Sequence, residues 1–350
     1  MLRERSVMND FPTGRIQTVR GAIDPDALGP TLMHEHIFCD IVPPALAAKD
    51  REYDELTLQN LWDIAHSSVD YAPKFRLSEP EVARTEVARV GQAGGAMVEL
   101  TNTGLKPRPE ALRKISEETG VPIVMGSGNY VEEYQDESFA TATVDRLAGE
   151  IIGQLGQGAW GSEVRSGIIG EIGCQSPWTE NEQRAMCAAV VAQQESGAAI
   201  TVHPGRAPDQ PMQVIDLIRR EGGDPERTVI SHIDRTIFDR DRLHALADTG
   251  CVLEFDLFGM EQSYYMLADI DLPNDGARVA TIRDLFDRGH RHQVVISHDI
   301  CFRTRLRHYG GHGYDHIFLR VLPLMLRRGF TQAEVDAIMI ETPRRLLTFR

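Results

Sequence analysis

The chain has 350 residues, 42% hydrophobic and 25% charged, enough to bury one large core or two ordinary ones. Its formal charge of −15 excludes a general binder of nucleic acid or anionic membrane, since phosphate affinity rests on clustered Lys and Arg. No apolar run approaches the ~18 residues of a membrane span, residues 1–14 contain no signal-type apolar stretch, and five scattered cysteines read as reduced thiols, so a cytoplasmic protein is expected.

In chain order, residues 1–13 read as a polar tail, and 15–19 with 21–23 as a small hairpin. A strand then runs into His34-Glu-His36. On a strand, side chains alternate between faces, so His34 and His36 share one side about 7 Å apart while Glu35 points away. The pattern alone is weak, because His290 and His292 form a second H-x-H. Residues 40–77 form a long connection with a helical piece near 56–66, expected to cover one end of the fold. A regular alternation follows. Ser78-Glu-Pro-Glu81 has the form of a capping box opening a helix to about Ala93. Strands are predicted at 96–100, 121–126, 167–172, 198–203, 228–232, 251–256 and 293–299. Helices are predicted at 109–119, 141–155, 179–197, 211–220, 239–249 and 277–288, with further helices from Tyr314 and Thr331.

Near-continuous apolar strands alternating with amphipathic helices indicate a parallel sheet covered by helices. Eight such units fit a (β/α)8 TIM barrel with an enlarged first βα loop. An open doubly wound sheet is the competing α/β arrangement, but no G-x-G-x-x-G turn follows the first strand.

A barrel of this kind places its active site at the C-terminal ends of the strands. Those ends carry His34 and His36 (first strand), Glu171 (fourth), His203 (fifth), His232 (sixth) and Asp299 (eighth). Singly, each is explained as a hydrogen-bonded structural residue or a helix cap. Together, four imidazoles and two carboxylates suit a pair of divalent cations of the zinc type, with Mn2+, Co2+ or Fe2+ as other occupants and Glu171 bridging. His290 and His292 precede the eighth strand and belong to the opposite end. His66 and His244 fall within helices. His308, His312 and His316 have i, i+4 spacing, but Gly310-Gly311 argues against a helical metal face.

At this point the residues resemble a family. The motifs His34-Glu-His36, Gly170-Glu-Ile-Gly173, His203-Pro-Gly-Arg206, Ser231-His-Ile-Asp-Arg235, Glu254-Phe-Asp-Leu-Phe-Gly259, Ser297-His-Asp299 and Gly310-Gly-His-Gly-Tyr314 are similar to those of the phosphotriesterase branch of the amidohydrolase superfamily, within its phosphotriesterase-related group. The resemblance covers roughly residues 14–350, read as a single metal-dependent hydrolase barrel domain. It implies a binuclear hydrolase in which His34, His36 and Asp299 serve the buried metal and His203 and His232 the more exposed one. The founding phosphotriesterases have a carboxylated lysine as the bridge, where this chain has Glu171. That difference separates it from efficient organophosphate hydrolases.

The expected chemistry is attack on a lactone, carboxylate ester or N-acyl amide by a metal-activated hydroxide, with Asp299 as proton acceptor. A phosphotriester or phosphoester hydrolase and a non-catalytic metal-containing small-molecule binding protein are the alternatives. Asp234 and Asp256 are expected to hydrogen-bond to the ligands, and Cys174 and Cys301 to be packing residues. A mononuclear deaminase of the same superfamily would be expected to have a glutamate just after His203, where this chain has Pro204-Gly205-Arg206. A sugar-phosphate isomerase would have glycine-rich phosphate loops instead of the histidine set. The arginines crowning the barrel, Arg206, Arg235, Arg303 and Arg305, together with Tyr130, are expected to bind an anionic group on the substrate. The expected partner is a small-molecule substrate, with a second copy of the chain as the one protein partner considered.

Overall fold

The computed structural model describes residues 10–49, 51–66 and 70–350. Most of the expected polar tail, residues 1–9, lies outside them. Eight strands carry the fold: β1 (Thr31–Glu35), β2 (Ala96–Glu99), β3 (Ile123–Met125), β4 (Ile169–Gly173), β5 (Ile200–His203), β6 (Thr228–Ile230), β7 (Val252–Phe255) and β8 (Val294–Ile296). β1, β2 and β3 pair in parallel, as do β4 through β8 in sequence order, which is the (β/α)8 arrangement. The first seam is closed by backbone. Ser127 N–H donates to Gly170 O (3.0 Å) and Gly170 N–H to Ser127 O (2.7 Å), joining the end of β3 to β4. The second seam, β8 to β1, has one backbone bond among the described residues, Asp299 N–H to His34 O at 3.1 Å.

The core has two layers because strand side chains alternate. Met33, Val98, Val124, Ile168, Ala199, Val229, Val252 and Val295, one residue on or beside each strand, pack together inside the barrel. Ile16, Leu28, Leu346 and Leu347 join the same cluster. The intervening residues, among them Leu32, Met97, Ile123, Ile169, Ile200 and Leu253, face the surrounding helices.

Local chemistry sets the helix ends. Thr179 caps the helix Glu180–Ser196 in a capping box with Glu182, and Gly197 ends it in the left-handed conformation. The buried Glu182 carboxylate also accepts from Glu132 N–H (3.0 Å) and Gln175 N–H (2.8 Å), so this cap ties two loops of the barrel mouth together. The expected box at Ser78–Glu81 does not form. The helix spans Pro80–Gln92 with Glu79 at its cap position and no capping side chain, and Glu81 pairs with Arg84 instead. Pro80, with its fixed φ and no N–H to satisfy, opens the helix without a cap.

The hairpin forms as Ile16–Thr18 against Gly21–Ile23. The enlarged first loop contains short helices at Pro44–Ala47 and Leu61–His66 and a 3-10 turn at Ala72–Phe75. Among the described residues, no helix is long and apolar enough to cross a membrane.

Candidate metal centre

The inward positions of each strand continue in steps of two, and this rule delivers only some of the site. On β5, Ala199 and Val202 define the two faces, so Thr201 and His203 continue the inner face. On β1 the inner residue is Met33, and strict alternation would turn His34 and His36 outward. The register between β1 and β2 shifts between Leu32 and Glu35, and that irregularity re-aims both histidines. The register between β4 and β5 shifts likewise between Ile169 and Ile172, bringing Glu171 inward. Gly170 permits this: its φ is +124°, and a Cβ there would lie 2.2 Å from Thr201 O. His232 (φ 54°) and Asp299 (φ 49°) are two of the four described non-glycine residues with positive φ. Such backbone strain, of order 1–3 kcal/mol per residue, clusters at functional sites.

The structure brings all six expected ligands together. One Glu171 oxygen lies 3.4 Å from His36 Nε2. The other lies 2.9 Å from His203 Nδ1, 3.4 Å from His34 Nε2 and 3.5 Å from His232 Nε2. Asp299 Oδ1 is 3.3 Å from His36 Nε2 and 3.9 Å from His34 Nε2. Two ligand-type groups therefore share Glu171: His34–His36–Glu171 and Glu171–His203–His232. A bound cation fits the donor chemistry. His34 Nε2 is a buried ring nitrogen with no hydrogen-bond partner, and it faces this carboxylate.

The far nitrogens of these rings are held from behind. His36 Nδ1 meets Thr101 Oγ1 at 3.0 Å, and His34 Nδ1 meets Ser231 Oγ at 3.2 Å. His232 Nδ1 meets Asp256 at 2.9 Å, and His232 N–H donates to the other Asp256 oxygen at 2.9 Å. Such partners fix a ligand's tautomer and orientation. Asp234, expected in the same role, instead accepts from Arg278 Nε (2.5 Å) and Leu257 N–H (3.2 Å). Its side chain serves a buried structural ion pair.

Electrostatics follow the packing. Burial alone would push Glu171 up, yet the charge of His34 and the hydrogen bonds from His203 and His232 hold it well below the usual carboxylate range. Burial lowers His36, but hydrogen bonds to Asp299 and Glu171 outweigh it and raise the ring to about 9. Burial, reinforced by the nearby His232 and Arg235 charges, pushes His203 down to about 3, leaving a neutral imidazole.

A cavity of about 510 Å³ opens onto His203, His232 and Asp299. Arg206, Arg235, Arg305 and Tyr130 line it. The Arg206 guanidinium sits 5.7 Å from the Tyr265 ring centre, and the Tyr130 ring meets His203 edge-on at 4.9 Å. Arg235 is buried and committed to His203 Nε2 (3.3 Å) and Pro204 O (3.1 Å). Neither Arg206 nor Arg235 forms an ion pair among the described residues. Arg303 does not belong here. It turns out of the cavity to Glu79 (3.2 Å) and the Tyr309 ring, because the 3-10 turn Arg303–Arg305 sends the two arginines to different sides.

Cys174 and Cys301 line the cavity as buried thiols pushed well above their usual range by burial. Of the remaining histidines, His290 is buried against Gln293 and Asp248, and His292 meets Glu341. His312 stacks beside His298 and His316 meets it edge-on, and neither they nor His308 line the cavity. Alternation could not flag Thr101, Ser231 or Ser297, which are small hydroxyl residues one or two positions beyond a strand.

Residues 14–347 match the phosphotriesterase family. The human N-acetyltaurine hydrolase is 38% identical over 345 residues, covering 97% of this chain and 99% of that protein. A phosphotriesterase-related protein of Nematostella vectensis is 41% identical over 352 residues, with the same coverage. The crystal structure of a resiniferatoxin-binding protein from Rhodobacter sphaeroides superposes with a TM-score of 0.90 at 32% identity, covering 95% of both chains. With a match of that extent on a barrel whose strand ends converge as described, the chain belongs to the phosphotriesterase family and is a hydrolase.

Proposed function

We propose that the chain hydrolyses a small anionic N-acyl amide, or a related ester or lactone, using two divalent ions of the zinc type. His34, His36, Glu171, His203, His232 and Asp299 would hold them, in a cytoplasmic barrel of residues 14–350 with 1–13 as an appended segment. The observation that carries this reading is the Glu171 carboxylate, whose two oxygens face different histidines. A single tetrahedral ion needs fewer ligands than this set supplies. Ions bound there would acidify a water and polarise the substrate carbonyl.

The chain's own residues supply the rest. Asp299, with 15% of its side chain exposed, is the accessible carboxylate of the set and accepts the proton released as water adds to the carbonyl carbon. It returns that proton to the leaving nitrogen or oxygen as the acyl bond breaks. Arg235 holds the His203 ring by donating to Nε2, with Nδ1 turned toward Glu171 and His232. Arg305 is engaged through Nη1 with His298 O (3.0 Å) and Asp299 O (2.6 Å), so Arg206 is the arginine assigned to meet the substrate's acid group, with Tyr130 as a hydroxyl contact. The name of the human relative denotes an amide hydrolase acting on an N-acyl amino sulfonate, which agrees with an arginine-lined pocket in a chain of net charge −15. A binding protein that had abandoned catalysis would be expected to lose ligands, and all six are retained.

The test is a matched pair of N-acyl amides, one carrying a sulfonate or carboxylate and one with that group methylated. The anionic member should have the higher kcat/KM. Arg206→Met should erase about 10–100-fold of the preference, the size of one hydrogen bond to a charged group. If the neutral member is cleaved equally well and Arg206→Met changes nothing, the anion reading fails.

A further inference from the structure

Glu35 stands between two candidate ligands and does not enter the metal cluster. Its carboxylate is fully buried and accepts four hydrogen bonds, all from the segment that follows β8. Oε1 takes Ser297 Oγ–H (2.9 Å), His298 N–H (3.0 Å) and His298 Nδ1 (2.6 Å), and Oε2 takes Ile300 N–H (3.1 Å). These donors bracket Asp299 on both sides. Asp299 itself has φ 49°, with its N–H on His34 O. A non-glycine residue in that region persists only where its surroundings over-determine it. Here they do so across the β8–β1 seam, which has little ladder of its own.

The second half of the device is His298. With Nδ1 donating to Glu35, its Nε2 is free to accept, and Ile317 N–H lies 3.1 Å from it. Both ring nitrogens are therefore used, and the tautomer is fixed. Ser297 Oγ also receives His34 N–H at 3.0 Å, so the bracket reaches back to β1 beside a ligand.

We propose that Glu35, acting through His298 Nδ1 and the flanking amides, is a positioning residue that aims the Asp299 carboxylate at the metal pair. Without the bracket, the 297–300 turn relaxes out of the left-handed conformation, and Asp299 leaves the arc in which its oxygen lies 3.3 Å from His36. This rests on Asp299 being a metal ligand, so the experiment separates the two claims.

Zinc affinity is measured on the metal-stripped full-length chain by competition with a chelating indicator, for wild type, Glu35→Gln, His298→Asn, His298→Gln and Asp299→Asn. An asparagine amide sits where Nδ1 sits and can still donate to Glu35. A glutamine amide reaches instead to the Nε2 position and keeps only the Ile317 contact. Glu35→Gln and His298→Gln should each lose about 10–100-fold in zinc affinity, the usual effect of removing a partner behind a ligand. His298→Asn should bind zinc more tightly than His298→Gln. A role in stability alone predicts the same zinc affinity for both His298 variants, whatever their melting temperatures, and that equality or the reverse order overturns the proposal. If Glu35→Gln does not fold, the His298 pair still decides. Wild-type affinity in Asp299→Asn would defeat the ligand reading, whereas a weakened Asp299→Asn with the two His298 variants equal would defeat the bracket alone.

Discussion

β5 and β1 bring histidines to the same centre by different means. β5 is paired on both sides, with an unbroken register to β6 and a shifted one to β4, and ordinary alternation along β5 itself carries Thr201 and His203 inward. β1 borders the seam with β8, its register breaks between Leu32 and Glu35, and side-chain bonds replace the ladder. A ligand on a ladder is held by many backbone bonds that no single substitution removes. A ligand at the seam depends on a few side chains, so the sites of functional sensitivity should be unevenly spread around the barrel.

The largest expected effect lies on the seam itself. Asp299→Asn keeps the shape and removes the basic oxygen, so kcat should fall by ~10²–10⁴-fold. Wild-type turnover in that variant would remove Asp299 from the chemistry. On the ladder side the corresponding test is Asp256→Asn, which weakens the hydrogen bond behind His232 at 2.9 Å. A drop of roughly 10–100-fold in activity or metal affinity is expected there. By contrast, Thr201→Val leaves β5's backbone pairing untouched and removes only a hydroxyl 3.1 Å from Ser231 Oγ. Its effect should be the smallest of the three. If Thr201→Val costs as much as Asp256→Asn, the backbone does not hold the ladder side in the way described.

The same contrast explains what could be read from the chain alone. The barrel was legible because each strand is an apolar run followed by a helix with clear start and stop signals, such as Thr179 and Gly197. The six candidate ligands were legible because they end strands at regular spacing. Alternation shows only that Glu35 points away from His34 and His36, and no local signal shows a partner 263 residues later in His298. Arg303 and Arg305 read alike because sequence distance from Asp299 does not report which way a 3-10 turn faces. Strand β8 was expected to reach Asp299 but stops at Ile296, since the next amides are drawn to Glu35.

A pH series sharpens the comparison further. In the metal-free chain His36 is raised from 6.5 to about 9 by Asp299 and Glu171, against the pull of burial. A proton held more tightly in the folded than in the unfolded state stabilises the fold fully below pH 6.5, and that contribution is lost as pH rises through 9. The melting temperature of the stripped chain should therefore decline between pH 6.5 and 9. Metal binding displaces that proton, so the loaded chain should lack this decline, and the gap in Tm between the two should widen over the same interval. A gap that stays constant from pH 6.5 to 9 would contradict the assignment of His36 as a ligand.

The central claim is that Glu171 joins two metal positions, and metal stoichiometry tests it most directly. Elemental analysis after reconstitution with excess zinc should give close to two ions per wild-type chain, and fewer in Glu171→Gln, which has lost the charge both positions share. At most one ion in the wild type, or two ions with full activity in Glu171→Gln, would contradict it.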